Sequence, residues 1–188
     1  MLDTLKTYDK VIDSLHGNIR TLKVYPKVFT ASEHAYLHPF YDRALFGALS
    51  LLDLVVGLKY LHLSGAVGNQ FEANYFARIV AHCIYETIQN QNKLVGKEVL
   101  DLIQERLGDR AADELKSNTR MLREIRKTEL PSLRVIRNEL FGHKLASGIK
   151  QAEKIVGVDQ IRVYKIGRQV VSCQIEVLAS YVGLMDKI

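Results

Sequence analysis

The segment Arg137-Asn138-Glu139-Leu140-Phe141-Gly142-His143 concentrates the residue types that could carry a reaction. An imidazole titrates near neutral pH and can take up or release a proton. A guanidinium grips a phosphate through parallel N–H donors and stabilises charge building on its oxygens. The amide of Asn138 can hold a ribose hydroxyl or the imidazole through a hydrogen bond. Together Arg137, Asn138 and His143 suffice for metal-independent cleavage of RNA. A base removes the 2′-hydroxyl proton, the freed oxygen attacks the adjacent phosphorus, and an acid protonates the departing 5′-oxygen. The product carries a 2′,3′-cyclic phosphate.

Spacing sets a condition on this chemistry. Six residues along an ideal helix turn through about 600°, which leaves Arg137 and His143 roughly 120° apart in azimuth and about 9 Å apart along the axis. Arginine's reach, a kink near Gly142 or a second copy of the chain must bring them together. An arbitrary pair at this spacing is otherwise a solvated arginine and a capping or core histidine.

Two further groups of residues bear on the segment. Arg78, His82 and Glu86 fall at i, i+4 and i+8 on an otherwise apolar helical pattern, so they share one stripe. Such a stripe either borders the Arg137/His143 cleft or forms a salt-bridge ladder on a wet face. His82 and Glu86 alone are too few to hold a catalytic metal, and no HExxH occurs. Arg120, Arg123, Lys127 and Arg134 recur with helical spacing before Arg137, and Lys144 follows it. If the helix continues past Pro131, the row can track an RNA backbone; the plain alternative is a charged solvent face. Asp53, in an apolar run, is either a buried hydrogen-bonding residue, the favoured reading, or part of a cleft.

The string RNELFGH, late in an all-helical pattern after Pro131, resembles the Arg-polar-(few residues)-His signature of the HEPN superfamily. Those are helical-bundle domains common in prokaryotic toxin–antitoxin, abortive-infection and CRISPR-associated systems. The general layout is similar from about Pro39 to Met185, but only the short motif is specific. The resemblance implies that Arg137 and His143 are a catalytic pair, with Asn138 the polar residue after the arginine. It also implies a homodimer in which two motifs face one cleft, one His143 serving as base and the other as acid. RNA is then the substrate, and an antitoxin or defence-system protein a candidate partner. Some family toxins carry a tyrosine shortly after the histidine; here Lys144 and Leu145 stand there.

Composition frames these readings. Over 188 residues, 47% apolar and 25% charged, the chain has ordinary globular proportions and enough length for a real core. Cys83 and Cys173 are far apart and lack metal-ligand spacing, which fits a reducing, cytoplasmic compartment. The charged N-terminus, with Asp3, Lys6, Asp9, Lys10 and Asp13, is not a signal peptide. The most apolar run, Ala44 to Leu58, is short of a membrane span and carries Asp53. Ten Lys/Arg against four Glu between Lys116 and Lys154 give that segment +6 of a net +5, so the remainder is −1. No P-loop, GxGxxG, nucleophile elbow or zinc-spaced set appears, so no cofactor is expected.

The elements that must position the motif follow from periodicity. Leu5, Tyr8, Ile12, Leu15, Ile19 and Leu22 form one seam of a helix from about Asp3 to Val24, limited by Pro26. A second helix runs from Pro39 to about Leu63, apolar nearly all round and therefore central. Ser64 to Gly68 is read as a loop, and Asn69 with Glu72 as a capping box for a helix from Gln70 to about Val95. Lys97 to Leu107 is helical, Gly108-Asp109 a stop and new cap, and Asp109 to about Lys127 a charged helix. Pro131-Ser132 opens or kinks the next, ending near Gly148. Asp159 caps a last helix to about Met185, with Ile166, Val170, Cys173, Val177 and Leu184 on one side. The expectation is a single all-α bundle of five to seven helices: an N-terminal helix over 1–25 and a HEPN-like bundle over 39–188. Two other functions compete with the ribonuclease: a non-catalytic HEPN-like module binding a protein, nucleotide or RNA, and a DNA-binding helix pair within Gly96 to Leu115.

Overall fold

The computed structural model describes residues 2–29, 37–138, 153 and 156–185, and no strand occurs among them. Among these residues, seven full helices and a single turn are found, in chain order: α1 (Leu2–Phe29), α2 (His38–Ala66), α3 (Gln70–Gln89), the one-turn α4 (Gln91–Leu94), α5 (Lys97–Leu107), α6 (Asp109–Asn118), α7 (Arg120–Arg137) and α8 (Gln160–Met185). The protein is an all-α helical bundle.

α1 packs on α2 through the predicted seam. Leu15 is buried; Leu5, Tyr8, Ile12, Ile19 and Leu22 are half-buried, while the side chains between them are exposed apart from Val11. The helix does not stop at Pro26 but runs to Phe29. One proline removes one backbone donor, a local cost that a long packed helix can absorb.

α2 is the central element, as its apolar surround requires, and packs against α1, α3 and α8. At 29 residues it exceeds the expected run and absorbs Ser64 to Ala66. By length and composition alone it could cross a bilayer; here half of its most apolar stretch is buried inside the bundle. The turn into α3 requires Gly68, whose φ of 73° is strained for any L side chain. Asn69 then caps α3, its Oδ1 accepting the Glu72 backbone N–H at 3.2 Å. α2, α3 and α8 meet where glycine permits close approach. A Cβ on Gly167 would lie 2.8 Å from Leu58 Cδ2 and 3.2 Å from Val80 Cγ1.

The helices differ from the periodicity reading at three points. The helix begun at Gln70 ends at Gln89, and α4 supplies a separate turn before Gly96. Asp109 is the first residue of α6, not its cap; its carboxylate accepts from Gln104 Nε2 at 2.6 Å, while Gly108 turns at φ 83°. The expected break near Pro131 lies instead at Thr119, whose hydroxyl bonds the Lys116 carbonyl at 2.8 Å. α7 then passes through Pro131 without interruption. Asp159 caps α8 as expected, accepting the Arg162 N–H at 2.9 Å.

The main core joins α2, α3, α7 and α8 around fully buried Leu54, Ile84, Leu122 and Val170. Burying each such side chain stabilises the fold by about 1.5–3 kcal/mol. A second cluster closes the far end, where Phe40 meets Tyr181 edge-on and the Tyr181 hydroxyl donates to the Leu94 carbonyl. The α8 residues predicted for one side are all buried, Ile166, Val170 and Cys173 in the main core and Val177 and Leu184 in the second cluster. Gln174 departs from that pattern: it is 1% exposed, and neither its amide nitrogen nor its oxygen has a hydrogen-bond partner. Each unsatisfied buried group costs about 1–3 kcal/mol. Gln174→Met, similar in volume, is therefore expected to raise the urea midpoint by the equivalent of about 1–2 kcal/mol. A lowered midpoint would mean that the amide is satisfied in solution.

Candidate functional site at the end of helix α7

α7 runs unbroken from Arg120 to Arg137 and has two distinct faces. Leu122, Ile125 and Leu133 are buried against α3 and α8, whereas Arg120, Arg123, Lys127 and Arg134 are all exposed. Because the helix is continuous, those four cations form one row that leads to Arg137. Their ties are light. Arg123 donates to the Lys116 carbonyl at 2.7 Å, and Lys127 pairs with Glu124 at 3.1 Å with both groups largely in water. A pair so exposed contributes about 0–1 kcal/mol.

Arg137 is the last residue of α7, with 41% of its side chain exposed. Its guanidinium carbon lies 5.7 Å from the centre of the Tyr85 ring, within cation–π range. Its Nη1 donates to Asn138 Oδ1 at 3.0 Å, and its Nε stands 3.9 Å from Glu86 Oε1. The last distance is too long for a hydrogen bond, so Glu86 acts on Arg137 through charge alone. Glu86 is itself braced by Asn90, whose Nδ2 donates to its carboxylate at 3.3 Å and to its backbone carbonyl at 2.9 Å.

Glu86 therefore stands beside Arg137, one of the two arrangements that the spacing of the α3 stripe left open. Arg78 and His82 lie on the same stripe of α3 but are half-buried, not on a wet face. Burial lowers the Arg78 pKa, partly offset by nearby Tyr75. Asn138 is placed beside Arg137, while His143 and Lys144 lie outside the described residues, as does the distance between Arg137 and His143. Tyr85 and Asn90 were missed by sequence reasoning, although both were accessible to it: Tyr85 adjoins Glu86, and Asn90 follows it by one helical turn.

Asp53 is exposed at the α2 rim, not buried. One turn of an apolar helix still presents a wet edge where no neighbour covers it. Cys83, on α3, has its thiol pushed up to about 11, first by burial and then by the charge of Asp53. Cys173 is raised too, mainly by burial, with its Sγ 3.0 Å from the Asn118 carbonyl. Neither thiol is primed as a nucleophile. Among the described residues, no three His, Cys, Asp or Glu side chains converge as a metal site.

Compared with known protein families, with characterised proteins and with solved structures, the chain has no match.

Proposed function

We propose that this chain is a metal-independent endoribonuclease of HEPN type, working as a cytoplasmic homodimer in a toxin or phage-defence system. One observation carries the reading: an uninterrupted α7 aligns four exposed cations toward a half-exposed arginine braced by Tyr85 and Glu86. The row would hold successive phosphates of a single strand, and Arg137 would bind the scissile one. His143, by the resemblance of its motif, supplies the base that takes the 2′-hydroxyl proton; the partner protomer's copy of the same residue supplies the acid. The cleavage assay that tests this uses single-stranded RNA in EDTA and identifies the ends formed. A 2′,3′-cyclic phosphate is expected, and cleavage that stops in EDTA would overturn the metal-independent mechanism.

A second reading, a HEPN-like module that binds RNA, a nucleotide or a protein without cutting, draws support from the same arginine. Asn138 already occupies one of its donors, and the charge of Glu86 stands close to it. The two readings differ in His143→Ala, which abolishes function in the first and leaves binding intact in the second.

Glu86 is a positioning residue in either reading, and its charge competes with phosphate for Arg137. Glu86→Gln is expected to tighten RNA binding about 2- to 5-fold, the size of one partly exposed charge interaction. In the ribonuclease, KM falls by that factor while kcat drops because Arg137 is held less firmly. An unchanged KM would remove Glu86 from the site.

A further inference from the structure

A second polar cluster lies between α1 and α8, separate from α7. There a groove of about 580 Å³ runs over α2, within the size range of small-molecule sites. Val11, Val55, Leu58 and Val171 give it an apolar floor. Tyr8 from α1 and Tyr164 from α8 reach across it, their hydroxyls 2.8 Å apart. Behind them His62 stacks on Tyr164, with ring centres 5.9 Å apart and planes 24° apart, and lies 6.3 Å from Tyr8. The His62 Nε2 is buried without a hydrogen-bond partner. Exposed Arg168, one turn beyond Tyr164, lines the same groove together with Ser172.

This is more polar capacity than the helix packing uses. In a bonded pair of phenols one O–H is donated to the other oxygen, and the second O–H remains available. The hydroxyl of Thr7, which also lines the groove, already donates to the Asp3 carbonyl. Asp3 is the acidic group among the lining residues, placed more than a helical turn before Tyr8. The remaining phenol O–H and the Arg168 guanidinium are donors lining the same groove, and both favour an acceptor that carries negative charge. An apolar floor lined by such donors matches an amphipathic anion.

We infer that the α1/α8 groove binds a small organic anion, a carboxylate or phosphate monoester carried on an apolar body, with Arg168 and the Tyr8–Tyr164 pair holding its charged head. The inference is independent of the ribonuclease reading, since it uses no residue of the α7 site.

The test uses two fluorescent probes on the full chain: anilinonaphthalene sulfonate, which joins an anion to an apolar body, and its uncharged relative N-phenylnaphthylamine. Saturable binding of the sulfonate is expected, weakened about 10-fold or more by Arg168→Gln, the loss of one charge-assisted contact. Tyr8→Phe and Tyr164→Phe, which keep the rings, should each weaken it by a smaller factor. Binding of the neutral probe should not change in any variant, and thermal melts establish that each variant is folded. Decanoate and phenyl phosphate as competitors distinguish a carboxylate from a phosphate head; displacement by either supports the site. Sulfonate binding that is unaltered by Arg168→Gln would overturn it. So would displacement by decanol as effective as by decanoate, because the groove would then recognise only apolar surface.

Discussion

Replacing Arg137 by alanine is expected to lower cleavage of single-stranded RNA at least about 100-fold, the usual loss when one preorganised donor to a developing oxyanion is removed. The reason is geometric. The guanidinium is braced on the Tyr85 ring, tied to Asn138 and set near Glu86, so its donors are oriented before a phosphate arrives. Lysine should not rescue, because it offers a point charge where a planar fork is needed. Fold stability should hardly change: the side chain is 41% exposed, and its charge interaction with Glu86 is loose. Circular dichroism and a thermal melt check this, and His143→Ala serves as the companion variant. Cleavage that persists in both variants, with the helices intact, would end the ribonuclease reading.

Removing the cationic row is the second large effect. The quadruple variant Arg120→Gln, Arg123→Gln, Lys127→Gln, Arg134→Gln is expected to weaken RNA binding on the order of 100-fold near physiological salt. Each single-strand phosphate contact contributes about 0.7 to the slope of log affinity against log salt, so four lost contacts should flatten it by about 3. The thermal midpoint should stay within a degree or two, since all four side chains are exposed and face no buried partner. An unchanged salt slope would place RNA elsewhere on the bundle. A flattened slope together with activity lost only through affinity would separate this row from Arg137, whose removal acts on the chemical step.

These two variants probe features that differed in how readable they were. The cationic row was written in helical spacing, yet its continuity depended on whether Pro131 ended a helix. Local propensity favoured a break there; the burial of Leu122, Ile125 and Leu133 on one face overrode it and moved the break to Thr119. The thiol of Cys83 and the exposure of Asp53 were likewise invisible locally, because each depends on which edge of α2 its neighbours leave uncovered. The α1 seam, the Asn69 and Asp159 caps and the central place of α2 were legible, since each rests on contacts or periodicity within a few turns.

Sequence alone therefore determined that the chain is a helical bundle, which faces of its helices are apolar, and that positive charge gathers before Arg137. Backbone hydrogen bonding and side-chain periodicity in a helix are local, so the chain states them directly. Tertiary packing decided that Tyr85 and Glu86 of α3 meet Arg137 of α7, and that Tyr8 and Tyr164 close a groove from opposite ends of the chain. Such meetings depend on how whole helices cross, and crossing is set by the combined shape of many buried side chains, which no short stretch of sequence contains.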